Sequence, residues 1–183
     1  VVVEIKIARK LLRLGGIFFP LGYFLLDKKS ILGVVASIGL VFLVLDILRL
    51  NWPGFNKNKI FRLFVKKEEE KAVSAITLFV IAAFFTVLLF PREIAICSLL
   101  FLIFGDMLAE VIGLRFGRIR LIGKKTVEGT LACFIACLGI GLLLIKVLHL
   151  SLLVIIIGAS GAAFIELVPL KIAKIRIDDN LSI

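Results

Sequence analysis

Five stretches of the chain stay apolar for about the 20 residues that a helix needs to cross ~30 Å of hydrocarbon. They are Ile31 to Leu48, Ala72 to Phe90, Ile94 to Gly113, Gly129 to Leu148 and Leu150 to Leu170. A sixth, weaker run from Leu11 to Leu26 contains Gly15, Gly16, Pro20 and Gly22. Such breakers are tolerated in a membrane helix when neighbouring helices cover the freed backbone, so a kinked or re-entrant helix is expected there. No internal repeat is evident. The pattern predicts an all-α, polytopic membrane helical bundle of about six transmembrane helices, forming one domain over residues 1–183. The polar connection 49–71 holds an amphipathic piece, Ile60 to Lys71, with Phe61, Phe64 and Val65 on one side and charges on the other. That is the pattern of a helix lying in the headgroup plane.

Composition supports lipid as the solvent. Hydrophobic residues make up 61% of the chain and the mean hydropathy is +1.16, against roughly 45–50% apolar residues in soluble domains. Cys97, Cys133 and Cys137 lie inside apolar runs, where a disulfide has no loop to staple, and are read as small packing residues. His149 stands alone near a loop and is read as interfacial. The formal net charge of +10 would suggest nucleic acid on a soluble protein. Here the charges fall between hydrophobic runs, so no nucleic-acid partner is expected; they report topology and contacts to anionic groups. Six crossings place all but four of the 23 Lys and Arg on one side; the exceptions are Lys28, Lys29, Arg92 and Lys146. Basic residues are held back on the cytoplasmic side, which puts both termini inside. The compact length points to a prokaryotic cytoplasmic membrane.

With that topology Asp46, Asp106, Glu110, Glu128 and Glu166 all fall at cytoplasmic helix ends. Asp106 and Glu110 are four apart and share a helix face. A carboxylate at membrane depth costs roughly 2.5–3.5 kcal/mol on insertion scales and usually faces a polar cavity or a partner. Two readings stand side by side: a cation-binding or catalytic site, and structural ion pairs with nearby Lys and Arg. The richest segment is Gly105 to Gly129, GDMLAEVIGLRFGRIRLIGKKTVEG. Its loop, 114–128, alternates Gly117 and Gly123 with Arg115, Arg118, Arg120, Lys124 and Lys125. Glycine-freed amides and several cations suit a polyphosphate, Thr126 adds a hydroxyl, and a helix starting near Glu128 adds a positive dipole end. Asp106, with Glu110, would hold Mg²⁺ against those phosphates. The spacing is not that of a P-loop, because GKKT replaces GK[ST] and no strand precedes it. A solvated Gly-Arg loop is the plain alternative.

GDMLAEVIGLRFG followed by GKKTVEGTLA resembles the family of dolichol kinases, phytol kinases and CTP-dependent diacylglycerol kinases. Arg9-Lys10, LDILRLNWPGFN (Leu45 to Asn56), and Glu166 followed by IDDNLSI resemble further elements of that family. The resemblance implies a polytopic enzyme that moves a phosphoryl group from CTP to a membrane lipid alcohol: polyprenol or dolichol, a phytol-like alcohol, or diacylglycerol. It implies Mg²⁺ on Asp106 and Glu110, completed by Asp178 and Asp179. It also implies a nucleotide site from Gly105, Arg115, Arg118, Gly123, Lys124, Lys125, Thr126, Gly129 and Asn180. Asp106, Glu128 and Glu166 are the candidates for handling the hydroxyl proton. Two departures matter. Arg13 stands where the family usually has His, so that residue's role is not carried over. The family often continues past DDNLS into another hydrophobic helix, so a terminal helix beyond these residues is expected. GKKTVEG also resembles the signature of CDP-diacylglycerol synthases, whose longer C-terminal signature is absent, which leaves a cytidylyltransferase as the alternative. A small cation-coupled transporter is a more distant one. No motif reports the oligomeric state.

Overall fold

The computed structural model describes residues 15–51, 73–123 and 125–167, and the backbone of 171–172 and 175–176. Among these the chain is helical almost throughout: α1 (Phe18–Leu25), α2 (Lys28–Asn51), α3 (Ala75–Leu89), α4 (Arg92–Phe116), α5 (Val127–Leu144) and α6 (Leu152–Leu167). A two-residue antiparallel pairing follows, β1 (Lys171–Ile172) with β2 (Ile175–Arg176). The all-α membrane fold read from the sequence is the one observed. Helices α2, α4 and α5 are long and apolar enough to cross a membrane, whereas α3 and α6 are apolar but shorter. Leu40, Leu143 and Leu153 are more than 60% exposed, a surface that hydrocarbon solvates and water does not. Of the apolar run expected to reach Leu170, helix is described as far as Leu167, and residues 168–170 lie outside the described residues. Most of connection 49–71 lies outside the described residues.

The helices group into two compact units, residues 1–89 and 90–183. In the first, Asp27 opens α2 by accepting from the amides of Lys29 (3.0 Å) and Ser30 (3.2 Å) and from the Ser30 hydroxyl (2.7 Å), which satisfies donors that a helix start leaves orphaned. The other end of α2 is tied to the start of α3 by a buried carboxylate. Asp46, 5% exposed, receives Arg49 Nε at 3.1 Å, the Ser74 amide at 2.8 Å and Thr77 Oγ1 at 2.6 Å. Ser74 Oγ in turn caps α3 through the Thr77 amide. Of the two readings open for Asp46, structural pairing is the one seen, and Arg49, Ser74 and Thr77 are the partners.

In the second unit α4 and α5 run antiparallel through a stripe of small residues. Gly105, Ala109 and Gly113 recur every four positions on α4, and Gly129, Cys133 and Cys137 do the same on α5. A Cβ at Gly105 would lie 2.9 Å from Cys137 Sγ and 3.0 Å from Cys133 Sγ. One at Gly129 would lie 2.9 Å from the Ala109 carbonyl. Small residues at this spacing let membrane helices approach to backbone contact, where packing replaces the missing hydrophobic drive. All three cysteines are free and buried. Helix α6 returns antiparallel to α5, with Ile155 packed on Gly141, and its Gly158 meets the Phe101 ring of α4.

Candidate active site

The polar end of the second unit is built by the hairpin that joins α4 to α5. Two glycines make it possible. At Gly117, which closes α4 through its amide to Gly113 O, a Cβ would collide with that carbonyl and with the Thr126 side chain. At Gly123 the backbone has φ +60°, a conformation that costs L side chains energy and glycine little. Between them the strands pair by Arg120↔Thr126, with Leu121 N bonded to Lys125 O, Lys125 N to Ile122 O and Val127 N to Ile119 O, each at 3.0 Å.

Glu128 and Thr126 lock this hairpin from the helix side. The Glu128 carboxylate accepts from the amides of Arg118 (3.0 Å) and Ile119 (3.3 Å). Thr126 caps α5 by accepting the Gly129 amide at 3.2 Å. These contacts say what three of the candidate residues do in the fold. Glu128 organises the loop by accepting its amides. Gly129 donates its amide to Thr126 and is packed beneath Ala109. Gly105 is a mid-helix packing residue against the cysteines. At the start of α5 the amides of Val127, Gly129 and Thr130 bond Ile119 O, Thr126 Oγ1 and Thr126 O. The cations that remain on the surface are side chains: Arg118 and Arg120 on the exposed hairpin, and Arg115 over the Phe116 ring at 5.5 Å.

The hairpin delivers Lys125 to α6. Its Nζ lies 2.6 Å from Glu166 Oε1, with the Glu166 side chain 5% and the Lys125 side chain 23% exposed. The other carboxylate oxygen receives Thr130 Oγ1 at 3.2 Å. Thr130 went unnoticed in the sequence; it sits one turn after Thr126 on the same helix face, which is the signal that could have found it. Asp106 is half-buried and Glu110 exposed on the next turn of α4. Because Phe101 meets Gly158 and α4 and α6 run the same way, Asp106 is level with about Ala163, one turn short of Glu166 at ~1.5 Å per residue. The contacts shown join Lys125 and Thr130 to Glu166, with Asp106 about one turn away along the helix axis. Among the described residues no group of three His, Cys, Asp or Glu could hold a metal. Two carboxylates on one helix face nevertheless fit Mg²⁺, which takes one or two carboxylates and completes its shell with phosphate oxygens and water. Lys124, Asp178, Asp179 and Asn180 lie outside the described residues.

No family model matches the chain, and no solved structure matches it. A relative from Rickettsia prowazekii, the uncharacterized protein RP860, is 31% identical over 182 residues, covering 96% of this chain and 87% of the relative. CTP-dependent diacylglycerol kinase 1 of Schizosaccharomyces pombe is 28% identical over 94 residues, 49% of this chain and 43% of the kinase. The protein of the same name from Saccharomyces cerevisiae is 24% identical over 113 residues, 60% of this chain and 39% of that kinase. The chain thus spans about two fifths of the length of these kinases.

Proposed function

We propose a CTP-dependent kinase acting on a membrane lipid alcohol, on the premise that the chain belongs to the same family as RP860 of Rickettsia prowazekii. Fungal relatives named CTP-dependent diacylglycerol kinase support the phosphoryl donor and the lipid acceptor. The observation that carries the reading is Lys125, presented by a glycine-turned hairpin and held against buried Glu166 beside Thr130. Phosphoryl transfer asks a protein for positioning and charge neutralisation more than for covalent chemistry, and this cluster contains both signs of charge in a fixed geometry.

In this reading Lys125 and Lys124 neutralise the terminal phosphates of CTP, with Arg115 and Arg118 beside them on the open side of the hairpin. Asp178, Asp179 and Asn180, outside the described residues, are assigned to the nucleotide or its metal by the family resemblance alone. Asp106 and Glu110 would hold Mg²⁺, which when bound neutralises charge between the phosphates. Glu166 accepts the hydrogen bond of the lipid hydroxyl and then its proton as the oxygen–phosphorus bond forms and CDP leaves. Glu128 keeps the hairpin folded and touches no substrate. The excess of Lys and Arg in the connections places the site on the cytoplasmic face. Diacylglycerol, polyprenol and phytol-like alcohols are the acceptor classes.

The test is purified protein in lipid nanodiscs with CTP or ATP labelled at the γ-phosphate and a panel of these alcohols. Label appearing on the lipid with release of CDP is the expected result. Release of pyrophosphate would identify a cytidylyltransferase instead, and absence of any nucleotide turnover would remove the enzymatic reading.

A further inference from the structure

Below the charged layer, the second unit contains a groove between α4 and α6. Its walls include Ile94 and Phe101 of α4 and Val154, Gly158, Gly161 and Ile165 of α6, and its volume is about 200 Å³. We infer that this groove holds one hydrocarbon chain of the acceptor lipid and delivers the hydroxyl end of that lipid to Glu166, an assignment that rests on the lipid-kinase reading above.

Four observations converge on that occupant. The wall is hydrocarbon apart from the Ser98 hydroxyl and the Cys97 thiol, and an apolar slot with too few polar partners does not retain ordered water. Next, the slot is held open by absent side chains. A Cβ at Gly161 would meet nothing within 4 Å, whereas one at Gly158 would touch the Phe101 ring at 3.3 Å. Gly158 therefore sets the depth of the floor and Gly161 leaves the channel clear. Its end also lies next to the site along α6: Ala162 and Ile165 line it, and the residue after Ile165 is Glu166, which holds Lys125 and Thr130. Finally, the lining on α6 runs from Val154 to Ile165, about 16 Å at 1.5 Å per residue. One leaflet is roughly 15 Å deep, half of a ~30 Å core. The groove therefore matches a chain that crosses one leaflet, and acceptors with chains too short to fill it should be disfavoured.

The test fills the channel with Gly161→Phe, and with the smaller Gly161→Leu to guard against misfolding. Both are compared with wild type in nanodiscs containing a long-chain diacylglycerol with a diazirine near the end of one acyl chain. The expected result is photolabel on residues 94–101 and 150–165 of the wild type that is lost in both variants. Selectivity for long-chain over short-chain diacylglycerol should also fall about tenfold in Gly161→Phe, the scale of a methylene-sized change in an apolar pocket. Labelling spread equally onto exposed Leu131 and Ile135 of α5, or unchanged by either substitution, would overturn the inference by identifying bulk lipid. A wild type that transfers no phosphate yet shows substitution-sensitive label loses the kinase reading and keeps the hydrocarbon slot. An active wild type with insensitive label does the reverse.

Discussion

Replacing Lys125 by Met separates a phosphate-reading lysine from a purely architectural one. The Lys125–Glu166 contact at 2.6 Å corresponds to roughly 6 kcal/mol of attraction at an effective dielectric of ~20, much of it offset by the desolvation of buried Glu166. Removing one member strands the other, which costs about 3–5 kcal/mol when both are buried. Because the Lys125 side chain is 23% exposed, the low end applies, about 3 kcal/mol. At 2–4 °C per kcal/mol for a chain of this size, Lys125→Met should melt about 6–12 °C lower. Lys125→Met/Glu166→Gln removes both charges and should recover most of that loss, since neutral replacement of a buried pair is often tolerated. Turnover of labelled CTP should fall about 10²–10³-fold in the single variant, the scale of losing one preorganised electrostatic contact. It should stay low in the double variant. Melting is followed by aggregation or size exclusion after heating, and turnover by lipid-bound label. If the double variant regains activity together with its melting temperature, the pair is architectural and the phosphate role of Lys125 is refuted.

Asp106→Asn should abolish phosphoryl transfer while leaving the melting temperature within a few degrees of wild type; near-normal turnover in that variant would remove the metal assignment. Gly105→Val should cost about 1–3 kcal/mol by overpacking, with the penalty reduced in a Cys133→Ala/Cys137→Ala background because those sulfurs are what the new carbons meet. Asp46→Ala should cost about 3–5 kcal/mol by leaving Arg49 buried without its carboxylate, measured as loss of folded protein on heating. At Asp27 the hydrogen bonds from Ser30 and Lys29 lower the carboxyl pKa below the ordinary value. Its contribution is therefore present above the unfolded pKa of ~3.9 and disappears as pH falls through the lower folded value. The melting difference between wild type and Asp27→Ala should accordingly shrink on acidification, and a difference that grows would contradict the capping geometry.

Some of the chemistry was legible because it is local. GKKT beside a glycine marks a turn that carries cations, and Asp106 and Glu110 at helical spacing mark a carboxylate face. Other contacts were not legible because sequence lists donors and acceptors without saying which ones pair. That the Glu128 oxygens close the hairpin onto Arg118 and Ile119 needs the folded loop. That Gly105 and Gly129 sit at a helix crossing is equally hidden, because glycine at a loop and glycine at a helix crossing are written with the same letter. Thr130 was missed because a threonine inside an apolar run carries no signal until Glu166, 36 residues later, is folded against it.

Hydrophobic run length and the positions of charge alone determined that this is an all-α membrane protein with its polar chemistry gathered at helix ends, because crossing hydrocarbon imposes a length and a depth-dependent cost on every residue. Only the tertiary structure decided which charges neutralise one another. It tied Asp46 to Ser74 and Thr77 at the start of α3, spent Glu128 on the loop amides, and joined Lys125 to Glu166 of α6. The last two outcomes depend on how closely α4, α5 and α6 approach through Gly113, Gly129, Cys133 and Gly141, and the distance between helices is set by packing rather than by any single residue.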